Sequence, residues 1–205
     1  MKRRHFLSIG SAVMATSLAQ AKPRMATPSE VEGPFYPVHS QTDKDADLTQ
    51  VQGQAGQAQG QVIELQGQVV DVSGQPLAGA KVDLWQANAA GKYHDARDPN
   101  PAEIDPGFQG WAVLRTDESG RFALKTIFPG AYPASRGWSR PPHIHFKLSK
   151  PGYRALTTQM YFPDHPLNGK DRLLQRLSKA EQAMLIAKQG VGDNQFEWQI
   201  ALMEI

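Results

Sequence analysis

Cysteine is absent from all 205 residues. Its absence excludes disulfides, thiolate metal ligands and a cysteine nucleophile, so stability must come from the core or a bound group, and any metal must sit on nitrogen and oxygen donors. A long apolar run is missing as well. The best candidate, within residues 6–19, falls short of the ~20 residues a membrane-spanning helix needs and is rich in Ser, Ala and Gly. Net charge is small, with 22 basic residues against 20 acidic ones, and gives no electrostatic footprint for a nucleic-acid partner. Helical patterning is scarce, whereas 15 Pro and 18 Gly supply turns throughout. A chain of this length suits one domain with a substantial core and is short for two, so the expectation is a single β-rich, loop-rich domain.

What is present begins with MKRRHFLSIGSAVMATSLAQA. A basic start at Lys2, Arg3 and Arg4 leads into a modest apolar run and a small-x-small end at Ala19 to Ala21. This is the layout of a cleavable export signal over residues 1–21, and the Arg3-Arg4 pair followed by Phe6-Leu7 marks the twin-arginine variety, which carries folded cargo. The expected location is periplasmic or secreted, with no membrane anchor left after cleavage. Removing the three basic residues of the signal leaves 19 basic against 20 acidic, a nearly neutral mature chain.

Residues 22–61 show little periodicity and end in the low-complexity run QVQGQAGQAQGQ, which reads as an arm or surface loop. Strand patterning starts at Val62 and defines a domain over residues 62–205. VIELQGQVVDV and AKVDLWQA flank the turn SGQPLAG and read as one antiparallel pair; WAVLRT and RFALKT around DESG read as a second, and HIHFKLS with LTTQMYF as a third. Ser178 and Glu181 have capping-box spacing ahead of one short helix, with Ala180, Ala183, Met184 and Ala187 on one face. FEWQIALMEI reads as a final strand. Short strands, turn chemistry and almost no helix indicate a β-sandwich or barrel. Trp85, Trp111 and Trp198 read as core.

The chemistry-bearing residues centre on RPPHIHF (140–146). In a strand, His143 and His145 project from one face, so both imidazoles can reach a single ion. By itself such a pair is weak evidence for a metal site, since two ordinary half-buried histidines give the same pattern. Tyr132 in PGAYP and Tyr93 in a loop after a strand stand upstream. Taken with EGPFYP (32–37), GQPLAGAKVDLWQANAAGKY (74–93), TDESGRF and TTQMYF (157–162), these ordered motifs resemble the intradiol ring-cleavage dioxygenases over nearly the whole chain after the signal. The protocatechuate-type branch is the nearer one, since too few residues precede the first strand for the helical dimerisation segment of the catechol branch.

The resemblance implies a prealbumin-like, single-domain β-sandwich of mixed strands with long loops. It also implies a non-haem Fe(III) ion held by Tyr93, Tyr132, His143 and His145. Phenolate is a hard anionic donor suited to ferric iron, and the ion in turn keeps a side chain of unperturbed pKa ~10 ionised. The implied reaction is cleavage of a catecholic ring by O2 between its two hydroxylated carbons, giving a muconate-type diacid. Tyr132 is the axial ligand expected to leave and accept a substrate proton, Arg140 is expected to stabilise negative charge on the bound ring, and Gln159 is the polar neighbour of the pocket. Tyr36 is a candidate substrate contact. His94 reads as a loop residue, and His39 and His165 have no partner spacing. Ala134 stands where members of the branch tend to have an aromatic residue, which leaves protocatechuate, catechol, hydroxyquinol and larger catechol esters all open. A homo-oligomer is also left open. The rival reading is an exported prealbumin-like binding module without catalysis.

The export reading has a direct check. Changing Arg3 and Arg4 both to Lys is expected to hold the precursor in the cytoplasm on cell fractionation, and an undiminished periplasmic yield would point to another route.

Overall fold

The computed structural model describes residues 24–38, 41 and 43–205, so the proposed export signal and His39 lie outside the described residues. Ten strands and one short helix follow one another as β1 (Val62–Asp71), β2 (Lys81–Gln86), β3 (Trp111–Arg115), β4 (Arg121–Ile127), β5 (Tyr132–Ser135), β6 (Trp138–Arg140), β7 (His143–Ser149), β8 (Leu156–Tyr161), α1 (Lys179–Leu185), β9 (Lys188–Gln189) and β10 (Gln195–Leu202). Two four-stranded sheets face each other, with orders β4-β1-β10-β9 and β3-β2-β7-β8, and β5-β6 forms a separate hairpin. β1 and β10 are parallel whereas every other pair of strands is antiparallel, so the sandwich is mixed as expected.

Alternation builds the core. In β1 the side chains of Ile63, Leu65 and Val69 are fully buried, and from the opposing sheet Val82, Leu84, Ile144, Phe146 and Leu148 meet them. Each such side chain contributes roughly 1.5–3 kcal/mol of transfer free energy.

Two strand pairings read from the sequence are corrected. β1 and β2 do not pair, and neither do β3 and β4, because each turn carries the chain from one sheet to the other. Local turn chemistry marks where a strand ends but not which neighbour it joins; here the parallel β1-β10 contact and the β2-β7 contact claim those edges. The third expected pair, β7 with β8, is present. The helix begins with the expected capping box between Ser178 and Glu181, yet it buries Gln182 and Leu185 while Ala180 and Ala183 stay exposed. With only two turns, packing of Leu185 decides its roll rather than the stripe of small residues.

The arm of residues 24–61 holds no helix in its described part; residues 28–36 run over the outer face of the β3-β2-β7-β8 sheet, whereas residues 46–48 pair with β4 at the edge of the other sheet. Glu30 N donates to Thr157 O, Thr158 Oγ1 to Pro28 O and Lys147 pairs with Glu32, so β7 and β8 are covered on both sides. The second cover comes from two loops that meet at glycines. Gly130 N donates to Asn88 O, and a Cβ on Gly130 would sit 2.4 Å from Gly91 N and 2.5 Å from Ala89 O. Both contacts are backbone, so neither can swing aside.

Gly130→Ala is therefore expected to force apart the two loops that lead to Tyr93 and Tyr132. Overpacking of this kind costs about 1–3 kcal/mol, which thermal unfolding should register as a Tm drop of about 2–4 °C per kcal/mol.

Candidate metal centre

β7 lies between β2 and β8, and its register decides what surrounds the histidines. Ile144 and Phe146 point into the core, so His143 and His145 project outward beside their cross-strand partners: Trp85 and Gln159 flank His145, and Tyr161 flanks His143. Tyr93 reaches the same spot from the loop after β2. Asn88 Oδ1 accepts from Ala90 N and Lys92 N, and Asp98 Oδ2 accepts from Tyr93 N at 2.7 Å, which folds that loop tightly enough to turn the phenol inward. Tyr132 opens β5, directly across from Arg140 in β6.

All four side chains converge. His145 Nε2 is 3.1 Å from Tyr93 Oη and 3.2 Å from His143 Nε2, and His143 Nε2 is 3.4 Å from both Tyr93 Oη and Tyr132 Oη. Two donors about 2.0–2.1 Å from one small ion at octahedral to tetrahedral angles are themselves about 2.9–3.4 Å apart, so this spacing fits a shared cation. The tautomer fits too. His143 Nδ1 lies 2.7 Å from Pro141 O; a carbonyl can only accept, so Nδ1 carries the hydrogen and Nε2 aims its lone pair at the cluster. Among the described residues no three His, Cys, Asp or Glu gather as a metal site. This cluster differs because half its donors are tyrosines.

Electrostatics follow burial. Tyr93, His143 and His145 are 3%, 1% and 3% exposed. Burial, reinforced by the nearby Arg140 charge, pushes His143 well below the usual imidazole range and His145 down to about 3. Both rings are therefore neutral and free to act as donors at any pH near neutrality. Burial also pushes the phenols of Tyr93 and Tyr132 upward; for Tyr93 the adjacent Tyr132 adds to it, whereas Arg140 partly opposes it at Tyr132. A multiply charged cation among the four would reverse that direction and hold the phenols ionised.

Arg140 is 4% exposed and fully engaged on one side. Its Nε donates to Asp171 Oδ2 at 2.7 Å, and its Nη2 donates to Gln159 Oε1 at 2.6 Å and to Tyr161 Oη at 2.9 Å. Gln159 is in turn held by donation to Val31 O in the arm. Arg140 and Gln159 are thus brought to the cluster as the sequence led one to expect.

Asp171, which is 0% exposed, gave no such sign. It stands 31 residues from Arg140 in an unremarked loop, where its other oxygen caps the following turn by accepting from Leu173 N and Leu174 N. The only local trace is an Asp ahead of that turn. Phe35 and Trp85 were missed as well: Phe35 packs on Tyr93 with centroids 5.0 Å apart, and Trp85 stacks on His145 at 4.8 Å and 11°. The Tyr36 hydroxyl donates to Asp83 and its ring meets Trp85 edge-on. His94 is exposed, and His165 Nδ1 accepts from Leu167 N in a turn. Ala134 is exposed in β5, while Trp138 of β6 brings an aromatic ring 5.8 Å from the Arg140 guanidinium.

Known proteins resemble this chain in sequence and in fold. The family model described as Dioxygenase matches residues 31–202. Over 174 residues the chain is 37% identical to the protocatechuate 3,4-dioxygenase beta chain of Burkholderia cepacia, spanning 82% of this chain and 74% of that one. It is 32% identical over 182 residues to catechol 1,2-dioxygenase 2 of Acinetobacter lwoffii, but spans only 59% of that relative's length. Among solved structures, 3-chlorocatechol 1,2-dioxygenase of Rhodococcus opacus 1CP superposes with a TM-score of 0.68 at 28% identity, over 92% of this chain and 77% of the other.

The Arg140–Asp171 pair can be tested without touching the four donors. In Asp171→Asn the cap oxygen survives, but an amide N–H replaces the acceptor facing Arg140 Nε. Leaving that guanidinium buried and unpaired is expected to cost about 3–5 kcal/mol in chemical denaturation. A loss near zero would mean that solvent already supports the charge.

Proposed function

Because the chain belongs to the intradiol ring-cleavage dioxygenase family, we propose that it holds Fe(III) on Tyr93, Tyr132, His143 and His145 and uses O2 to cleave a catechol between its hydroxylated carbons. The observation that carries this reading is the convergence of two phenol oxygens and two imidazole nitrogens within 3.1–3.4 Å, on a surface buried by the arm. Two potential phenolates favour a ferric ion over the ferrous ion of two-histidine, one-carboxylate sites. The atoms balance without a further reductant, since both oxygens of O2 end in the two carboxyl groups of the product.

Bound iron would supply a Lewis acid that favours loss of both catechol protons, and the resulting catecholate is electron-rich enough to react with O2. The chain's residues supply the rest. Tyr132, the most accessible of the four, can take a substrate proton at Oη when the ring arrives, provided it was a phenolate beforehand, a form the Arg140 charge across the hairpin favours. Arg140 offers a fixed positive charge to the dianionic ring, and its alignment by Asp171, Gln159 and Tyr161 means that no reorganisation is needed as negative charge develops. Phe35 and Trp85 keep water from the Tyr93 and His145 side. An exported binding module would have no use for four convergent donors in this register.

Iron content, visible spectrum and ring cleavage measured together on three proteins test the proposal. The wild type is expected to bind iron and show tyrosinate-to-Fe(III) colour. Tyr93→Phe is expected to lose most of both, because one of four donors is gone. Arg140→Ala is expected to retain iron and colour while losing about 2–4 kcal/mol of transition-state stabilisation in kcat. A colourless wild type that takes up no iron would defeat the proposal.

A further inference from the structure

Among the described residues β5 and β6 pair with each other and with no other strand. Their hairpin is open to water along most of its length: residues 133–137 and 139 are exposed, and a Cβ added at Gly137, near the tip, would meet nothing within 4 Å. Yet its base carries Tyr132 and Arg140, paired directly across from each other, so two groups of the proposed reaction sit on an element that no sheet holds. Something else must fix its outer part.

Two adjacent residues of one loop meet it there. Trp138 and Arg140 are two apart in β6 and therefore project from one face of the strand. Asp171 accepts from Arg140 Nε, and Arg172, the next residue, lays its guanidinium 5.3 Å from the centroid of the Trp138 ring. The same ring lies 5.8 Å from the Arg140 guanidinium. Both distances fall inside the ~6 Å within which a cation is drawn to an aromatic face. Trp138 is accordingly the one residue from Pro133 to Ser139 that is not exposed. Arg172 is itself exposed, and among the described residues its guanidinium meets no carboxylate and no other hydrogen-bond acceptor, so the indole is the partner the fold gives it.

We infer that Arg172 is a positioning residue for the proposed ring cleavage: stacked on Trp138, it fastens the hairpin to the loop of Asp171 and keeps the indole against Arg140, so that the Arg140 charge meets the bound ring out of water. The inference rests on the proposed function and adds to it a residue that acts through two others. A charge in contact with solvent is screened by salt, whereas one kept under an aromatic ring is screened much less. The indole thus preserves the strength of a charge whose alignment Asp171 supplies. Arginine suits this task because its planar head stacks on an indole, which the compact ammonium of lysine does only in part.

Hydrogen exchange at the amides of residues 133–139 is measured first on the protein without iron, so that this readout does not depend on the reaction. Arg172→Ala is expected to speed that exchange about two- to fivefold, the factor that loss of one exposed cation–π contact gives. With iron bound and catechol as substrate, the same variant is expected to keep its iron and colour, to hold KM within about twofold and to lose kcat about threefold or more. Its kcat is expected to fall further between about 20 and 500 mM salt, where that of the wild type changes little. Arg172→Lys and Trp138→Phe should each lie between wild type and Arg172→Ala, and adding Arg172→Ala to Trp138→Leu should speed exchange no further than Trp138→Leu alone. Arg172→Gln takes the place of the alanine variant if that one does not fold. Exchange unchanged in Arg172→Ala, or exchange effects of the two substitutions that multiply, overturns the inference whatever the rates of cleavage. Faster exchange with kcat and its salt response untouched overturns the positioning of Arg140 and leaves the proposed function standing. A wild type that cleaves no catechol sinks the proposed function and the positioning role with it, while exchange alone still upholds or strikes out the Arg172–Trp138 fastening.

Discussion

Burial of both faces of the β3-β2-β7-β8 sheet is the condition on which the rest of this structure depends. One face closes against the other sheet over Ile144, Phe146 and Leu148, as in any sandwich. The other carries imidazoles, phenols, an amide and a guanidinium, groups that cost free energy when taken from water without partners. It is covered nonetheless, because the arm binds back onto β8 through Thr157, Thr158 and Gln159, and the loops before β3 and β5 lean over the remainder. Residues 143–146 are therefore buried in succession, where a strand with one wet face would alternate. Desolvation in turn keeps the histidines neutral and gives charge at this spot its strength.

Charge is balanced in two layers. Arg140 meets its compensating carboxylate in Asp171, and its positive charge still acts on His143, His145 and Tyr132. A tripositive ion with two phenolates would carry a remaining charge of one, so a dianionic catecholate would bring one negative charge in excess until Tyr132 takes a substrate proton. The Arg140 guanidinium then faces the excess negative charge of the ring. Asp171, Gln159 and Tyr161 hold the Arg140 guanidinium in place.

Much of the site was legible in the chain before any fold was known. Histidines spaced by two in a strand share a face, whatever the sheet around them, and the tyrosines were found because their motifs resemble those of a family with a defined ligand set. Asp171 was not legible, since nothing in a loop Asp reveals which buried cation it will meet 31 residues away. Phe35 and Trp85 were passed over for a related reason: a large aromatic in a strand or arm looks like core until the ring it stacks on is known. The β1-β2 and β3-β4 pairings failed because a turn signal gives the end of a strand and is silent on its partner.

The sequence by itself determined the positions of the seven longer strands, the capped helix start, the exclusion of sulfur ligands and the candidate donor residues, while the short strands β5, β6 and β9 went unread. These follow from local sterics, period-two alternation and side-chain chemistry, which need no information from distant parts of the chain. Only the tertiary structure decided which strands pair, that the arm buries the outer face, that Asp171 holds Arg140, and that a cavity has Tyr93 in its wall. Each of those depends on contacts between residues far apart in the chain, where desolvation and packing are set by what the fold brings together.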